Sequence, residues 1–270
     1  MKILTCNIRC FGAKDGKNSW AHRRGLCADV IRAQSPDIIC FQEMWRQQFA
    51  DLSAVFPGFE TFAMVDEPVG GHPSNGIFYR RKAFTRASAG GYWLSKRPIV
   101  AGSRSWDSAC VRLANWVWLE DRSTGREFRL VNTHLDHLGQ AARENQARLL
   151  VEDAAAYPAD YPQVLTGDMN VDTRNKAIHI LKAGGWTDTY GAVHGTEDPG
   201  FTYHGFRGPD YEAESEKGKM DWIFTRGNVR VLDAAVIRDS RKGRFPSDHY
   251  FVSATVVVGG SKPPGKASRK

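Results

Sequence analysis

No stretch of the sequence is apolar for the roughly 20 residues a helix needs to cross a bilayer, so no membrane insertion is expected. A secretory signal is missing too. Met1-Lys2-Ile3-Leu4-Thr5-Cys6-Asn7-Ile8 turns polar too soon and reads instead as a first strand. With Met1 as the native start, the expected compartment is the cytoplasm. Cysteine is scarce: the five present (Cys6, Cys10, Cys27, Cys40 and Cys110) are odd in number and lack C-x-x-C spacing. That argues against a disulfide framework or a thiolate zinc site. Cys6, Cys27 and Cys40 sit in apolar segments, as small buried thiols do. A strong charge excess is absent from most of the chain. Of the net +7, four charges belong to Lys262, Lys266, Arg269 and Lys270, which leaves +3 for the body. The Gly/Pro/Ser-rich stretch 259–270 is expected to be a disordered basic tail. No internal repeat and no mid-chain linker interrupts 1–258, so one domain is expected there.

What is present is ample core material, with 41% hydrophobic residues. Apolar periodicity predicts strands at 2–8, 38–43, 59–65, 75–80, 84–94, 111–120, 127–134, 163–165, 219–225, 229–237 and 250–258. Helices are expected over 20–34, capped by Ser19, and over 46–55, 139–156 and 174–184. The polar stretches 66–74, 95–109 and 190–218 are expected to be loops that shape a pocket. Many strands with a few interspersed helices imply two packed sheets covered by helices.

Polar residues recur at the ends of apolar strands: Asn7, Glu43, His134, Asp168 with Asn170, Asp221, and Asp248 with His249. Brought to one edge of the sandwich, they suit hydrolysis of a phosphate ester. Oxygen donors without thiolates favour Mg²⁺ or Mn²⁺. Glu43, with no lysine or arginine beside it in sequence, is the leading ligand, with Asn7 and Asp248. Asp168 is the expected base for the attacking water, ionised near neutral pH, and follows Gly167, whose expected role is to free a tight turn. Asn170 would hold the water or a phosphoryl oxygen. His134 and His249 would stabilise the transition-state charge, with Asp221 the partner that fixes the His249 ring.

Six segments also carry a resemblance. Thr5-Cys6-Asn7-Ile8-Arg9, Phe41-Gln42-Glu43, Asn132-Thr133-His134-Leu135-Asp136, Gly167-Asp168-Met169-Asn170, Lys219-Met220-Asp221-Trp222-Ile223-Phe224 and Ser247-Asp248-His249 follow one another in family order across residues 2–258. The chain thereby resembles the endonuclease/exonuclease/phosphatase superfamily, with the DNase I-like fold. The resemblance implies an α+β, four-layer αββα sandwich and a divalent-metal-dependent phosphodiesterase or phosphatase. The stretches 15–20, 93–95, 105–107 and 202–206 look like a bacterial branch whose substrates are poorly defined. One departure is visible. Relatives often carry an acid just before the strand expected here at 75–80, placed to orient the histidine at 134. This chain has His72-Pro73-Ser74-Asn75, so Asn75 is expected to take over part of that role.

The expected partner is a phosphate-ester substrate, small molecule or nucleic acid, bound by a monomer. A DNA or RNA endonuclease or exonuclease is the alternative within the enzyme class, and a non-catalytic binding module on the same fold is the alternative outside it. His137, Trp93, Trp106, Trp186 and Trp222 could each serve the site or merely fill structure. Arg238, Arg241, Lys242 and Arg244 read equally as a solvated turn or a phosphate clamp.

Overall fold

The computed structural model describes residues 1–211 and 218–259. The basic tail from 260 onward and the stretch 212–217 lie outside the described residues. Strands β1 (Lys2–Asn7), β2 (Ile38–Gln42), β3 (Phe59–Phe62), β4 (Ile77–Arg80), β5 (Phe84–Trp93) and β6 (Leu113–Asp121) come first. Strands β7 (Arg126–His134), β8 (Gln163–Asp168), β9 (Thr187–Asp188), β10 (Asp221–Arg226), β11 (Val229–Ile237) and β12 (Phe251–Val258) follow. The helices are α1 (Trp20–Ala33), α2 (Arg46–Val55), α3 (Gln140–Ala155), α4 (Lys176–Ala183) and α5 (Thr189–His194). The strands form two six-stranded mixed sheets, ordered β11-β12-β1-β2-β4-β3 and β5-β6-β7-β8-β10-β9. Only β1–β2 and β7–β8 pair in parallel among the paired strands.

Alternation along the strands sorts the apolar residues into three layers, because successive side chains leave opposite faces. Ile3, Ile38, Cys40, Phe128, Leu130, Val164 and Ile223 meet between the sheets. Their neighbours Leu4, Cys6, Ile39 and Phe41 turn outward onto Trp20, Val30, Ile31 and Leu52 of α1 and α2. On the other side Val131, Leu165, Trp222 and Phe224 pack on Ala147, Leu150, Ile178 and Leu181 of α3 and α4. The result is the expected four-layer αββα sandwich. Cys6, Cys27 and Cys40 are buried and free, as expected. Among the described residues no helix is long and apolar enough to cross a membrane.

Within the stretch 190–218, the described residues 190–211 are more structured than their polarity suggested. Asp188 caps α5, accepting from the N–H groups of Tyr190 (3.3 Å) and Gly191 (3.0 Å), and Gly195 at φ +70° follows its end. Asp188 also accepts from Lys219 Nζ at 2.6 Å, with both side chains buried. The ammonium sits 3.8 Å from the centre of the Trp222 ring. Lys219→Met is therefore expected to destabilise by about 3–5 kcal/mol, since it strands a buried carboxylate. Urea unfolding measures this, and a loss below about 1 kcal/mol, the size of a surface pair, would show the pair to be unimportant.

Candidate active site

The same alternation that fills the inter-sheet core builds the site. Continuing each inward row past its apolar part gives Thr5 and Asn7 on β1, Gln42 on β2, Asn132 and His134 on β7, and Thr166 and Asp168 on β8. Register then aligns the ends: His134 and Asp221 flank Asp168 on neighbouring strands, and Asn7 neighbours Gln42, just before Glu43. Beneath the ends lies a buried polar layer. Gln42 Nε2 donates across the sheets to Asn132 Oδ1 (2.7 Å) and along its own to Thr5 Oγ1 (3.0 Å). Asn132 Nδ2 in turn donates to the carbonyls of Phe41 (2.9 Å) and Gly76 (3.1 Å). The backbone is strained where strands give way to loops: Arg9 (φ +54°), Glu43 (+59°) and Asn170 (+55°) all occupy the left-handed region, as residues at functional sites often do. Gly167 lies inside β8 rather than in a turn. Its φ of +154° and the Thr133 carbonyl, with which a Cβ would collide, require glycine there.

Asn7 and Asp168 tie the two sheets together. Asn7 Nδ2 donates to Asp168 Oδ2 (2.9 Å) and Glu43 Oε1 (3.1 Å), and the Cys10 N–H donates to Glu43 Oε2 (2.9 Å). The Asn170 N–H donates to Asp168 Oδ1 (2.8 Å). Asn170 Nδ2 donates to His134 Nε2 (2.8 Å) and to the Leu135 carbonyl (3.0 Å). Asp168 Oδ2 lies 3.4 Å from His134 Nε2 and 3.8 Å from His249 Nε2. His249 Nδ1 is 2.9 Å from Asp221 Oδ2. Arg9 Nε lies 3.1 Å from Asp15 and 3.6 Å from Asp248. Arg9, Glu43, His134, Asp168, Asn170, Asp248 and His249 line a cavity of about 500 Å³, with Asn7 and Asp221 behind them.

The two histidines differ in charge. Burial, with Arg112 and His249 nearby, drives the His134 pKa well down, so this ring is neutral. Burial would lower His249 as well, but Asp221, Asp168 and Asp248 outweigh it and raise its pKa to about 10. Burial, reinforced by Asp221, pushes Asp168 up to about 7 despite His249, the Asn170 N–H and Asn7. The expected carboxylate, ionised near neutrality, is thus pushed toward its neutral form, first by burial and then by Asp221, which faces it from the next strand. Burial would raise Glu43 too, but His249, Asn7, the Cys10 N–H and Arg9 hold it below its ordinary value. Neighbouring groups pushed to different pKa values in this way make a base and an acid available side by side.

Residues 4–249 match the model of the endonuclease/exonuclease/phosphatase family. The chain belongs to this family. Its members are phosphoester hydrolases. Among solved structures, the endonuclease/exonuclease/phosphatase from Bacteroides vulgatus is similar to it at 28% identity and a TM-score of 0.85, over 95% of this chain and 98% of that one. A mannosyl-6-phosphatase from Bacteroides thetaiotaomicron is similar at 27% identity and a TM-score of 0.83, over 95% and 99% of the two chains. The CCR4-Not complex 3'-5'-exoribonuclease subunit Ccr4 of Emericella nidulans is 29% identical over 165 residues, 53% of this chain but 24% of that protein. The match thus spans about a quarter of Ccr4's length.

In this family member, two groups among the described residues bring possible metal-ligand atoms together: Asp168, Asp221 and His249, all buried, and Cys110, Asp136 and His137, of which only Asp136 is buried. Donor atoms of Asp168, Asp221 and His249 lie within 4.8 Å of one another, and Asp221 Oδ1 is buried without a hydrogen-bond partner. Glu43 and Asp248 also stand on the cavity wall, with Asn7 bonded to Glu43. Burial raises the pKa of Asp248, His249 opposes that, and the charge on Glu43 adds to it. So many buried carboxyl groups fit a hard divalent cation, which would compensate them.

Every residue expected at the site from sequence lies in this cluster. Asn75 does not orient His134: its amide donates to the Leu113 carbonyl (2.7 Å), and Asn170 bonds the ring instead. None of Trp93, Trp106, Trp186 or Trp222 lines the cavity, and Trp186 and Trp222 belong to the core. Arg238, Arg241 and Arg244 pair with the Pro199 carbonyl, Asp29 and the Lys17 carbonyl, away from the cavity. The tryptophan on the wall is Trp45, stacked on His72 at 4.0 Å. Arg9, Arg112 and Tyr203 were also missed as wall residues, although Arg9 and Tyr203 lie in quoted motifs. Glu43 does have an arginine nearby, Arg9, delivered by the fold rather than by adjacent sequence.

Asp136, in the His134 motif, plays a structural part. Its oxygens accept from Ser108 Oγ and the N–H groups of Ala109, Cys110, Leu138 and Gly139. Burial opposes ionisation, but those bonds lower its pKa from 3.8 to about 2. A depressed folded-state pKa adds stability above the unfolded value, and that stability is lost as pH falls through the folded one. Melting temperatures of wild type and Asp136→Asn should therefore converge between about pH 4 and pH 2. A gap that widens on acidification would refute this assignment.

Proposed function

We propose that this chain is a divalent-metal-dependent hydrolase of phosphate esters, using Mg²⁺ or Mn²⁺ and in-line attack of water. The observation that carries the reading is Asp168 Oδ2 poised between His134 Nε2 (3.4 Å) and His249 Nε2 (3.8 Å) in one cavity. Asp168 takes the proton of the attacking water, and Asn170 aims that water or a phosphoryl oxygen. His249, protonated and fixed by Asp221, donates to a phosphoryl oxygen, and neutral His134 donates from Nδ1. An imidazolium has no lone pair for a metal, which favours Glu43, Asp248 and Asn7 as the ligands over the group containing His249. When bound, the cation neutralises charge on the phosphoryl and leaving oxygens.

A small phosphate ester suits the cavity better than a polynucleotide. Its volume is in the small-ligand range, and of its lining residues only Arg9 and Arg112 carry permanent positive charge. Arg9 is already engaged by Asp15 and Asp248, whereas nucleic-acid grooves need a run of cations. Similarity to a mannosyl-6-phosphatase agrees with a sugar phosphate. The test is an Mg²⁺-supplemented hydrolysis screen of phosphosugars, nucleotides, inositol phosphates, phospholipids and oligonucleotides. Turnover of a phosphosugar is expected. Salt-sensitive cleavage of oligonucleotides alone would favour a nuclease, and no turnover of any ester would refute the hydrolase reading.

A further inference from the structure

Asp221 and His249 form their 2.9 Å pair across the seam between the sheets: Asp221 opens β10 in one, and His249 precedes β12 in the other. Strand pairing within either sheet leaves that separation unset. Residues 201–206 cross the seam at this point. Thr202 is fully buried, and its Oγ1 accepts from the N–H groups of Met220 (2.8 Å) and Asp221 (3.1 Å). Its carbonyl accepts from the Tyr250 N–H at 2.7 Å. Just beyond it, the N–H groups of His204 (2.8 Å) and Gly205 (3.1 Å) donate to the Asp248 carbonyl. Tyr203 forms a β-bridge with His249, and the two rings meet edge-on at 5.1 Å. One residue therefore grips both sides of the pair, the acid's own N–H through its side chain and, through its main chain, the N–H of Tyr250, the residue next to the histidine.

We infer that Thr202 is a positioning residue that fixes the distance between Asp221 and His249 without touching substrate. The residue type follows from the geometry. A hydroxyl oxygen offers two lone pairs to two successive N–H groups. Valine has the same shape but accepts neither, so both N–H groups would be left buried and unpaired. The backbone at 220–221 must then shift to find other acceptors, and Asp221 shifts with it.

The test compares Thr202→Val with Thr202→Ser. In the proton spectrum, the His249 Nδ1–H held by Asp221 should give a far-downfield resonance, identified by its loss in Asp221→Asn. It should persist in Thr202→Ser and vanish or move upfield in Thr202→Val. On the ester found by the screen, Thr202→Val should lower kcat on the order of 10- to 100-fold with KM unchanged, and Thr202→Ser should restore it. Should Thr202→Val not fold, Thr202→Cys, a weak acceptor, takes its place with the same expectations. A folded Val or Cys variant with wild-type kcat and an unmoved resonance would overturn the inference, as would a Ser variant equally impaired. The kinetic part rests on the hydrolase reading, but the resonance does not. If wild type hydrolyses no ester while the resonance responds as described, the hydrolase reading fails and the positioning role stands.

Discussion

Asp168→Asn should lower single-turnover hydrolysis by ~10²–10⁴, the range a positioned general base supplies, while the protein stays folded and still binds metal and substrate. The amide keeps the shape of the carboxylate and one oxygen, and can still accept from Asn7 Nδ2 or the Asn170 N–H, which both bond Asp168 in the wild type. It cannot take a proton. The substitution also removes the buried acid whose pKa Asp221 helps to push up to about 7, so the fold should not suffer. The expected pattern is a fall in kcat with little change in KM, which marks a loss confined to the transition state. Such a variant should trap substrate. Wild-type rates in Asp168→Asn would remove this residue from the mechanism and leave proton transfer to the histidines.

The second large effect concerns Glu43. Glu43→Gln should weaken Mg²⁺ binding by at least about 100-fold, since losses of 10- to 100-fold follow from changing residues that merely support ligands. Activity should then return in part at high Mg²⁺. Glutamine cannot reproduce the present arrangement, in which one carboxylate oxygen accepts from Asn7 Nδ2 and the other from the Cys10 N–H. One of those donors would face the new amide NH₂, so a modest drop in melting temperature should accompany the kinetic loss. Titrating activity against free Mg²⁺ separates the two effects. Wild-type activity that survives EDTA would sink the metal-based reading altogether.

The layers and the membership of the candidate cluster were legible because both depend on local alternation. Ile3-Leu4-Thr5-Cys6-Asn7 and Val164-Leu165-Thr166-Gly167-Asp168 each write an inward and an outward row. Their polar ends were visible for the same reason. What the sequence concealed is set by which strands face or adjoin each other. The bond from Gln42 to Asn132 crosses 90 positions and two sheets, and nothing near either residue announces it. The raised pKa of Asp168 comes from burial first and then from Asp221, brought alongside by antiparallel register. Helix α5 was passed over because its flanking stretch is polar, although Asp188 and Gly195 supply ordinary start and stop signals. The place of Asn75 was misjudged because the Leu113 carbonyl, out of sight in sequence, claims its amide.

The inward rows that end in Asn7, His134 and Asp168 also govern which changes in chain length the protein can survive. Asn7 lies four positions after Ile3, and Asp168 four after Val164, an even offset, so both ends of each interval share a face. Deleting one residue inside such an interval turns every later side chain of that strand over. Either the polar end residue points into a helix layer or the apolar residue points into the cavity. Deleting two restores the face but shortens the strand by about 7 Å and pulls the polar end down into the core. Length variation is therefore barred from β1, β7 and β8, and is free to collect in turns such as 121–125 at the opposite end of the sheets. In a library of random insertions and deletions, active survivors should show that division.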